Sequence, residues 1–456
     1  MTKLTIHHIA RIEGHGNVEI DISKGEIRRL ELRVVEPQRY FESLVVGRRV
    51  DEVPLIVSRI CGICSPNHTI TALRALECAL GIEVSEYVHT LRTLLVYGSF
   101  LQNHATHLYL LSAPDYVGLP SAFPLADSMP DVLARALELK RLGNDLCAVV
   151  GGRSVHPATA VLGGFTALPT RRELTRLSGR LRLAVHDAAE TAALFKSFAY
   201  PDFHPHREFL ALSAAGDYAI VGDWVRALKG GWTRPVSEYR DFICEREVEG
   251  GNAKLSETDG APFMVGALAR VRLNWDELKP SARVAASSAG IRPGDDNPYL
   301  NNLCQALELV DAAERCAEMC DWLADNVPAA AGTGRELSQK SLAEPLRPSS
   351  QNLKPSSSAK PEALNQVQGD GAPGNRQGAA ATEAPRGTLY HSYEVNESGI
   401  VVAGDVITPT AQNLACLEAD LRLLAPTLAD LPQEDAVLRV EQLIRAYDPC
   451  LSCAVH

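Results

Sequence analysis

The sequence predicts an α+β fold with a mainly helical body around a central helix bundle and an N-terminal β-hairpin or small sheet. Near the N-terminus apolar and polar residues alternate with a period of two, as expected for a hairpin that turns at Lys24 and Gly25. From about Pro66 onward the apolar residues recur every three or four positions, which is typical of amphipathic helices. The alternating apolar residues are Val18, Ile20, Ile22, Leu30, Leu32 and Val34, and the helical stretches are 86–112, 130–150, 171–199, 298–326 and 410–424.

Two segments depart from the helical pattern. Residues 202–283 are richer in aromatic residues, Gly and Pro, and this composition predicts short strands and loops. Residues 345–382 are dominated by Pro, Ser, Gln, Gly, Asn and Ala, which bury too little apolar surface to offset the entropy of ordering. We therefore expect one domain over residues 1–456, interrupted by a flexible low-complexity insertion at 345–382.

Composition excludes several classes of protein. The chain has 456 residues, 46% of them hydrophobic and 22% charged, and its net charge of −11 disfavours nucleic acid or an anionic membrane as the main partner. No apolar stretch is long enough to predict a membrane span, and the N-terminus lacks the apolar core of a secretory signal. The 11 cysteines are an odd number and too sparse for a disulfide scaffold, so we expect an intracellular, cytoplasmic chain with free or metal-bound thiols.

The strongest motif is a pair of Cys-x-x-Cys sequences near opposite ends of the chain. They place Cys61 and Cys64 in one pair and Cys450 and Cys453 in the other. Cysteines three residues apart can point the same way from a turn and chelate one metal. Thiolates suit zinc, iron, nickel or copper(I).

Three interpretations of these cysteines compete. A redox dithiol would explain Cys61 and Cys64, but it leaves the C-terminal pair without a role. A structural zinc site usually draws its cysteine pairs from nearby positions, and closing a loop of nearly the whole chain costs about 2.6 kcal/mol more. The third interpretation is a catalytic metal centre held by both ends of the chain.

The flanks of the cysteine pairs resemble the large, catalytic subunit of [NiFe] hydrogenases. The similar segments are RIEGH at 11–15, RICGIC at 59–64, and the DPCLSC ending at 448–453 that is followed by His456. Further matches are the Phe-Glu pair at 41–42, EAPRG at 383–387 and ITPT at 407–410. Within that family the sequence resembles the cytosolic branches that are methyl-viologen-reducing and heterodisulfide-reductase-associated, or NAD(P)-linked.

The resemblance implies a nickel–iron centre with carbon monoxide and cyanide on the iron, bound by the four cysteines. Cys61 and Cys450 would bind nickel alone, whereas Cys64 and Cys453 would bridge nickel to iron. Hydrogen is split heterolytically in this family, and Glu13 would carry the proton from Cys450 towards the surface. For Glu13, the alternative is an ordinary surface carboxylate at the start of a strand.

The resemblance also assigns the groups around the centre. Arg386 would lie over the diatomic ligands of the iron, with Thr410 donating a hydrogen bond to cyanide. Asp115 and Asp448 would pair with Arg386, because a buried unpaired cation is costly. His68 would hydrogen-bond a bridging thiolate, most plausibly that of Cys64. Turn formation is the alternative role for both aspartates, and a polar helix start is the alternative for His68.

A second, hard cation is implied near the C-terminus. Glu42, the backbone carbonyl of Val406 and His456 would bind Mg²⁺, with water completing the shell. Histidine is an unusual magnesium ligand, so Fe²⁺ is an alternative metal.

The implied activity is reversible oxidation of H₂ to protons and electrons. Apart from the four motif cysteines, the chain has no grouped cysteines for an iron–sulfur cluster, so an iron–sulfur small subunit is expected as partner. Flavin or heterodisulfide-reductase-type electron-transfer subunits and a soluble acceptor are expected beyond it. The alternatives are a hydrogenase-like subunit of a respiratory complex that has lost its metal, and a zinc-stabilised scaffold protein.

Overall fold

A computed structural model describes residues 2–23, 26–247, 252–328 and 374–455. In chain order its helices are α1 Phe41–Val45, α2 Val53–Val57, α3 Ser65–Leu80, α4 Glu86–Thr106, α5 Ala113–Tyr116, α6 Leu125–Ser128, α7 Pro130–Gly151, α8 Arg171–Lys196, α9 Tyr239–Phe242, α10 Ala267–Leu273, α11 Pro280–Ala289, α12 Asn301–Asp325, α13 Pro409–Leu424 and α14 Gln433–Ala446. The strands are β1 Thr2–Ile6, β2 Gly16–Ser23, β3 Glu26–Val34, β4 Ala160–Val161, β5 Gly164–Phe165, β6 Glu208–Leu212, β7 Val221–Gly222, β8 Trp224–Ala227, β9 Thr233–Pro235, β10 Cys244–Glu247, β11 Lys254–Glu257, β12 Phe263–Met264, β13 Arg376–Ala384, β14 Gly387–Val395 and β15 Val401–Ile407.

Long helices form the centre of the molecule. α4 packs against α7 and α12, and α12 packs along α8. Most of α4 is buried, and its buried residues include polar ones such as Arg92, Asn103 and His104. α4 and α7 cross closely where Gly98 faces Gly143, since a Cβ on Gly143 would lie 2.8 Å from the Gly98 carbonyl oxygen. α4 continues into a π-helical turn, His107–Ser112, and then into α5.

Small sheets surround the helices. β1, β2 and β3 form an antiparallel sheet, in which Val18 is opposite Leu32 and Ile20 is opposite Leu30. β15, β14, β13 and β7 form an antiparallel sheet in that order, while β12, β6, β8 and β9 form a mixed sheet. β10 pairs with β11, and β4 pairs with β5.

The sheet containing β13 and β14 packs directly on α3. At Gly378 a side chain would collide with the backbone of Ala75 and Ala79, so glycine lets β13 approach α3 closely. This contact holds α3, which begins after Cys64, against β13, which ends just before Arg386.

The sequence prediction of the helical body is confirmed. The predicted stretch 86–112 forms α4 and the π turn, and 130–150 forms α7. Stretch 171–199 contains α8, 298–326 contains α12, and 410–424 coincides with α13. The hairpin forms as β2 and β3, and β1 adds a third strand that the alternation did not predict.

Two predictions of local structure are corrected. The segment 202–283 does contain short strands, but it also forms helices α10 and α11 near its end. Residues 376–382 of the predicted insertion are part of β13, which is hydrogen-bonded on both sides and largely buried. Burial between β14 and β7 explains why these residues are ordered although most of them are small. The rest of the predicted insertion, up to residue 373, lies outside the described residues.

Within the described part of the chain, none of the helices combines the length and apolar character needed to cross a bilayer.

Candidate active site

Both Cys-x-x-Cys motifs meet in the interior. The Sγ atoms of Cys61 and Cys450 are 3.6 Å apart, and those of Cys64 and Cys453 are 3.9 Å apart. All four side chains are buried, with residue exposures between 1 and 5%. Cys61 follows a short 3₁₀ turn and Cys64 caps the start of α3, while the C-terminal pair lies at and within the 3₁₀ turn Leu451–Val455.

The four thiols form one cluster of sulfur atoms. Sγ atoms of Cys61, Cys64 and Cys453 lie within 4.8 Å of one another, close enough to bind one metal. The Sγ atoms of Cys450 and Cys453 also lie next to each other, so both residues of the C-terminal pair face the same point. Their Cα atoms are 5.4 Å apart.

The N-terminal cysteine pair has unequal acidity. A hydrogen bond from Cys64, aided by the charge of Arg386, lowers the pKa of Cys61 to about 7. The same hydrogen bond, together with burial, raises the pKa of the Cys64 thiol well above its ordinary value. Cys61 is therefore the more readily formed thiolate of this pair.

Glu13 lies beside the C-terminal cysteines. Its backbone carbonyl accepts a 3.0 Å hydrogen bond from the Leu451 N–H, and Glu13 forms a parallel bridge with Cys450. Its carboxylate accepts hydrogen bonds from both the backbone N–H and the hydroxyl of Ser452. Gly14 makes this packing possible, since a side chain there would meet the Leu451 Cβ at 2.9 Å.

Arg386 and Asp448 form a buried ion pair over the cluster. Arg386 donates from Nε to the Asp448 backbone oxygen at 2.7 Å and to the carboxylate at 3.1 Å, and its Nη2 lies 3.1 Å from the same carboxylate. Burial acts to raise the pKa of Asp448, but the charge of Arg386 and the hydrogen bond from Gln305 act against it, and that pKa is lowered overall. Thr410 contributes its hydroxyl oxygen, which accepts a 3.0 Å hydrogen bond from the Cys450 N–H.

One donor of Arg386 is left over. Its Nη1 is buried and has no hydrogen-bond partner among the described residues. A buried, unpaired guanidinium donor is costly and is normally satisfied by a ligand, water or ion. Nη1 of Arg386 could therefore donate a hydrogen bond to an electron-rich ligand bound at the sulfur atoms.

Asp115 corrects one predicted pairing. Its carboxylate binds Arg445, at 2.5 and 2.9 Å, and Arg11, but not Arg386. The physical reason is that Arg445 and Arg11 together donate hydrogen bonds to the two carboxylate oxygens of Asp115. Asp115 thus ties the segment before Glu13 to α14, which leads into the C-terminal motif.

His68 faces a second histidine. Its Nδ1 lies 3.1 Å from Nε2 of His391, whose Nδ1 lies 2.6 Å from the Tyr393 hydroxyl. The hydrogen bond predicted from His68 to a bridging thiolate stays a prediction.

The predicted hard-cation site contains an ammonium group. Glu42 accepts a hydrogen bond from the Val406 N–H at 3.0 Å, and its two oxygens lie 3.3 and 3.1 Å from Nζ of Lys254. Lys254 also pairs with Glu245 at 3.2 Å. His456 lies outside the described residues. Of the predicted ligands, Glu42 and Val406 are brought together, and Lys254 already supplies positive charge to Glu42.

The sequence interpretation missed the buried groups behind Arg386. Arg270 binds Glu308 and Glu383 and donates to the carbonyls of Ala384 and Pro385, the two residues before Arg386. Gln305 and Asn103 donate to the far oxygen of Asp448. Asn103, Gln305 and Glu308 lie in ordinary helical patterns, and Arg270 lies in a segment predicted as strands and loops, so no motif marks these four residues.

Comparison with known proteins agrees with this geometry. A family model described as nickel-dependent hydrogenase matches residues 39–130 and 306–456. The alpha chain of sulfhydrogenase 1 from Pyrococcus furiosus is 37% identical, covering 99% of this chain and 97% of its own. A component of the F420-non-reducing hydrogenase vhu from Methanococcus voltae is 27% identical, covering 94% of this chain and 99% of its own.

The fold is shared with solved hydrogenase structures. An NAD⁺-reducing [NiFe]-hydrogenase in the H₂-reduced state superposes with a TM-score of 0.80 at 24% identity, covering 100% of both chains. A Dm. baculatum [NiFeSe]-hydrogenase gives a TM-score of 0.73 at 21% identity, again over 100% of both chains.

The chain belongs to the nickel-dependent hydrogenase large-subunit family. It is the catalytic large subunit of a [NiFe] hydrogenase, an enzyme that oxidises H₂, and it carries the nickel–iron centre of that family.

Proposed function

We propose that Cys61, Cys64, Cys450 and Cys453 hold the nickel–iron centre of this hydrogenase. The observation that carries this proposal is the buried cluster of four sulfur atoms formed by the two ends of the chain. Soft thiolates are suitable ligands for nickel and iron.

The protein groups around the cluster position the reaction. When bound, the centre supplies the metals at which H₂ is split heterolytically. Asp448 holds the guanidinium of Arg386, whose charged donor Nη1 would be available to the electron-rich ligands of the bound centre. Thr410 accepts a hydrogen bond from the Cys450 N–H, and its hydroxyl hydrogen would be available to a cyanide ligand.

Glu13 takes the proton from Cys450 and passes it towards the surface. Its carboxylate lies on the segment that pairs with Cys450 and is fixed by Ser452. A base held in position in this way contributes about 10²–10⁴-fold in rate.

Replacing Glu13 by Gln tests this proton route. Glu13→Gln is expected to lower H₂ oxidation by the purified complex about a hundredfold, because the amide cannot accept the proton, while the metal content stays unchanged. The measurement is H₂-dependent reduction of an artificial dye, with nickel and iron quantified in the same sample.

Glu36→Gln is the matched control. Glu36 is a nearby carboxylate that binds His15 at 2.6 Å rather than the C-terminal motif, and this variant is expected to keep its activity. Full activity in Glu13→Gln would show that the proton leaves by another route.

Electrons leave through an iron–sulfur small subunit. In the described residues the metal-type grouping of cysteines is the cluster at the active site, so this part of the chain offers no further cluster for electron transfer. By name, the relatives are subunits of sulfhydrogenases and F420-non-reducing hydrogenases, and one structural neighbour is NAD⁺-reducing. These names support a complex of several subunits. The proposal extends to flavin or heterodisulfide-reductase-type subunits and a soluble acceptor in the cytoplasm.

We also propose that Glu42, the backbone carbonyl of Val406 and His456 bind a hard cation, Mg²⁺ or Fe²⁺. Support comes from the contact between Glu42 and the segment at Val406. Lys254 lies where it competes with a cation for the Glu42 carboxylate, so binding of the ion requires Lys254 to turn towards Glu245.

A further inference from the structure

His107 has both ring nitrogens directed at acceptor groups. It is the first residue of the π-helical turn that follows α4, and its side chain is buried. Its Nε2 lies 2.8 Å from the backbone oxygen of Arg445, and its Nδ1 lies 2.6 Å from Oε1 of Gln305. A carbonyl oxygen can only accept, so Nε2 must carry a proton.

The orientation of Gln305 is fixed by its other neighbour. Its Nε2 lies 3.1 Å from Oδ2 of Asp448, an oxygen that also accepts from the Asn103 amide. Asp448 is the partner of Arg386, so it is a carboxylate and only accepts. Turning the amide round would set an oxygen of Gln305 against this carboxylate. Gln305 therefore presents its amide oxygen to His107, and Nδ1 must also carry a proton.

We propose that His107 is a buried imidazolium that positions the Asp448–Arg386 pair through Gln305. A neutral ring would leave one nitrogen lone pair facing an oxygen at 2.6 or 2.8 Å, which is a repulsive contact. The Nε2 atom is also 3.8 Å from Oδ1 of Asp448, so the positive charge lies close to a negative one.

Asp448 is shared by two cations, Arg386 and the proposed imidazolium of His107. The charged or titratable groups on the elements around His107 are Asp448, Arg386, Arg445, Asp115, His104 and Glu308. Arg445 pairs with Asp115 and Glu441, and Asp115 also binds Arg11. Glu308 pairs with Arg270, which also binds Glu383. The imidazolium thus adds one positive charge behind the carboxylate that holds Arg386.

His104 provides an internal comparison one turn earlier in α4. It is equally buried, but its Nε2 lies 2.8 Å from the Glu308 carboxylate and its Nδ1 has no partner among the described residues. Burial lowers the pKa of His104 despite the Glu308 contact. His104 is therefore expected to be neutral, with its one proton on Nε2.

Neutron diffraction on the deuterated, purified complex tests the protonation state directly. At pH 8, nuclear density for deuterium is expected on both ring nitrogens of His107 and on Nε2 alone of His104. Deuterium on only one nitrogen of His107 would overturn the proposal. This map does not depend on turnover, so it stands apart from the hydrogenase activity on which the proposed role of His107 rests.

Substitution tests the positioning role. His107→Gln removes the charge and one donor, and it is expected to slow H₂ oxidation about tenfold to a hundredfold, the range for losing a hydrogen bond in a charged network. It is also expected to shift the infrared bands of the diatomic ligands, which His104→Gln should leave in place. His107→Lys restores the charge and is expected to recover part of the rate. Wild-type rate and bands in His107→Gln would contradict the positioning role.

Discussion

Replacing Arg386 by Lys is expected to reduce H₂ oxidation by about a hundredfold or more. The guanidinium uses Nε and Nη2 to hold Asp448, and it presents the otherwise unpaired Nη1 to the cluster. The single ammonium group of lysine cannot both hold Asp448 and place a donor at the position of Nη1, because it lacks the planar, spaced donors of a guanidinium. Loss of one donor fixed at a site of developing charge typically costs about 10²–10³-fold in rate.

The Arg386→Lys variant is measured in the anaerobically purified complex with H₂ and an artificial acceptor. Arg207→Lys is the matched control, because Arg207 also binds a buried aspartate, Asp420, at 2.8 Å but takes no part in the Asp448 pair. We expect Arg207→Lys to retain its turnover. An Arg386→Lys enzyme with full metal content and wild-type turnover would refute the role given to Arg386.

Replacing Arg270 by Met is expected to have the largest effect on stability. Arg270 is fully buried and its side chain makes five hydrogen bonds, two to Glu308, one to Glu383 and one each to the carbonyls of Ala384 and Pro385. Methionine would leave two buried carboxylates without their cation. Breaking a buried ion pair from one side costs about 3–5 kcal/mol.

The Arg270→Met variant is measured by the thermal unfolding midpoint and by the yield of assembled complex. Arg272→Met is the control, because Arg272 is only partly buried and donates to a single carbonyl, that of Pro293, at 3.3 Å. We expect the control to unfold near the wild-type temperature. Equal midpoints for the two variants would show that the buried network contributes no net stability.

The helical body was predictable because its apolar residues repeat at helical spacing over long stretches. α8 begins with a capping box between Thr170 and Glu173, a local signal that coincides with the predicted start. β13 was not predictable in the same way. Its residues 379–381 are three alanines that follow a low-complexity run, and their strand conformation depends on β14, β7 and α3, which the sequence pattern cannot reveal.

The site was predictable to the extent that motifs mark it. The two cysteine pairs, Glu13, Arg386 and Asp448 each lie in a short characteristic segment. Asp115 was assigned to the wrong arginine, because both Arg386 and Arg445 are buried cations and only the fold decides which one is within reach. His107 and Gln305 act through contacts between helices, so their role depends on packing rather than on spacing.

Metal analysis combined with infrared spectroscopy tests the central claim most directly. The sample is the complex purified under anaerobic conditions, in which we predict nickel and iron bound at the four cysteines and sharp bands in the carbon monoxide and cyanide stretching region. The Cys61→Ser variant is expected to lose the nickel. Stoichiometric zinc without such bands would contradict the nickel–iron centre and with it the assignment of these cysteines to H₂ oxidation.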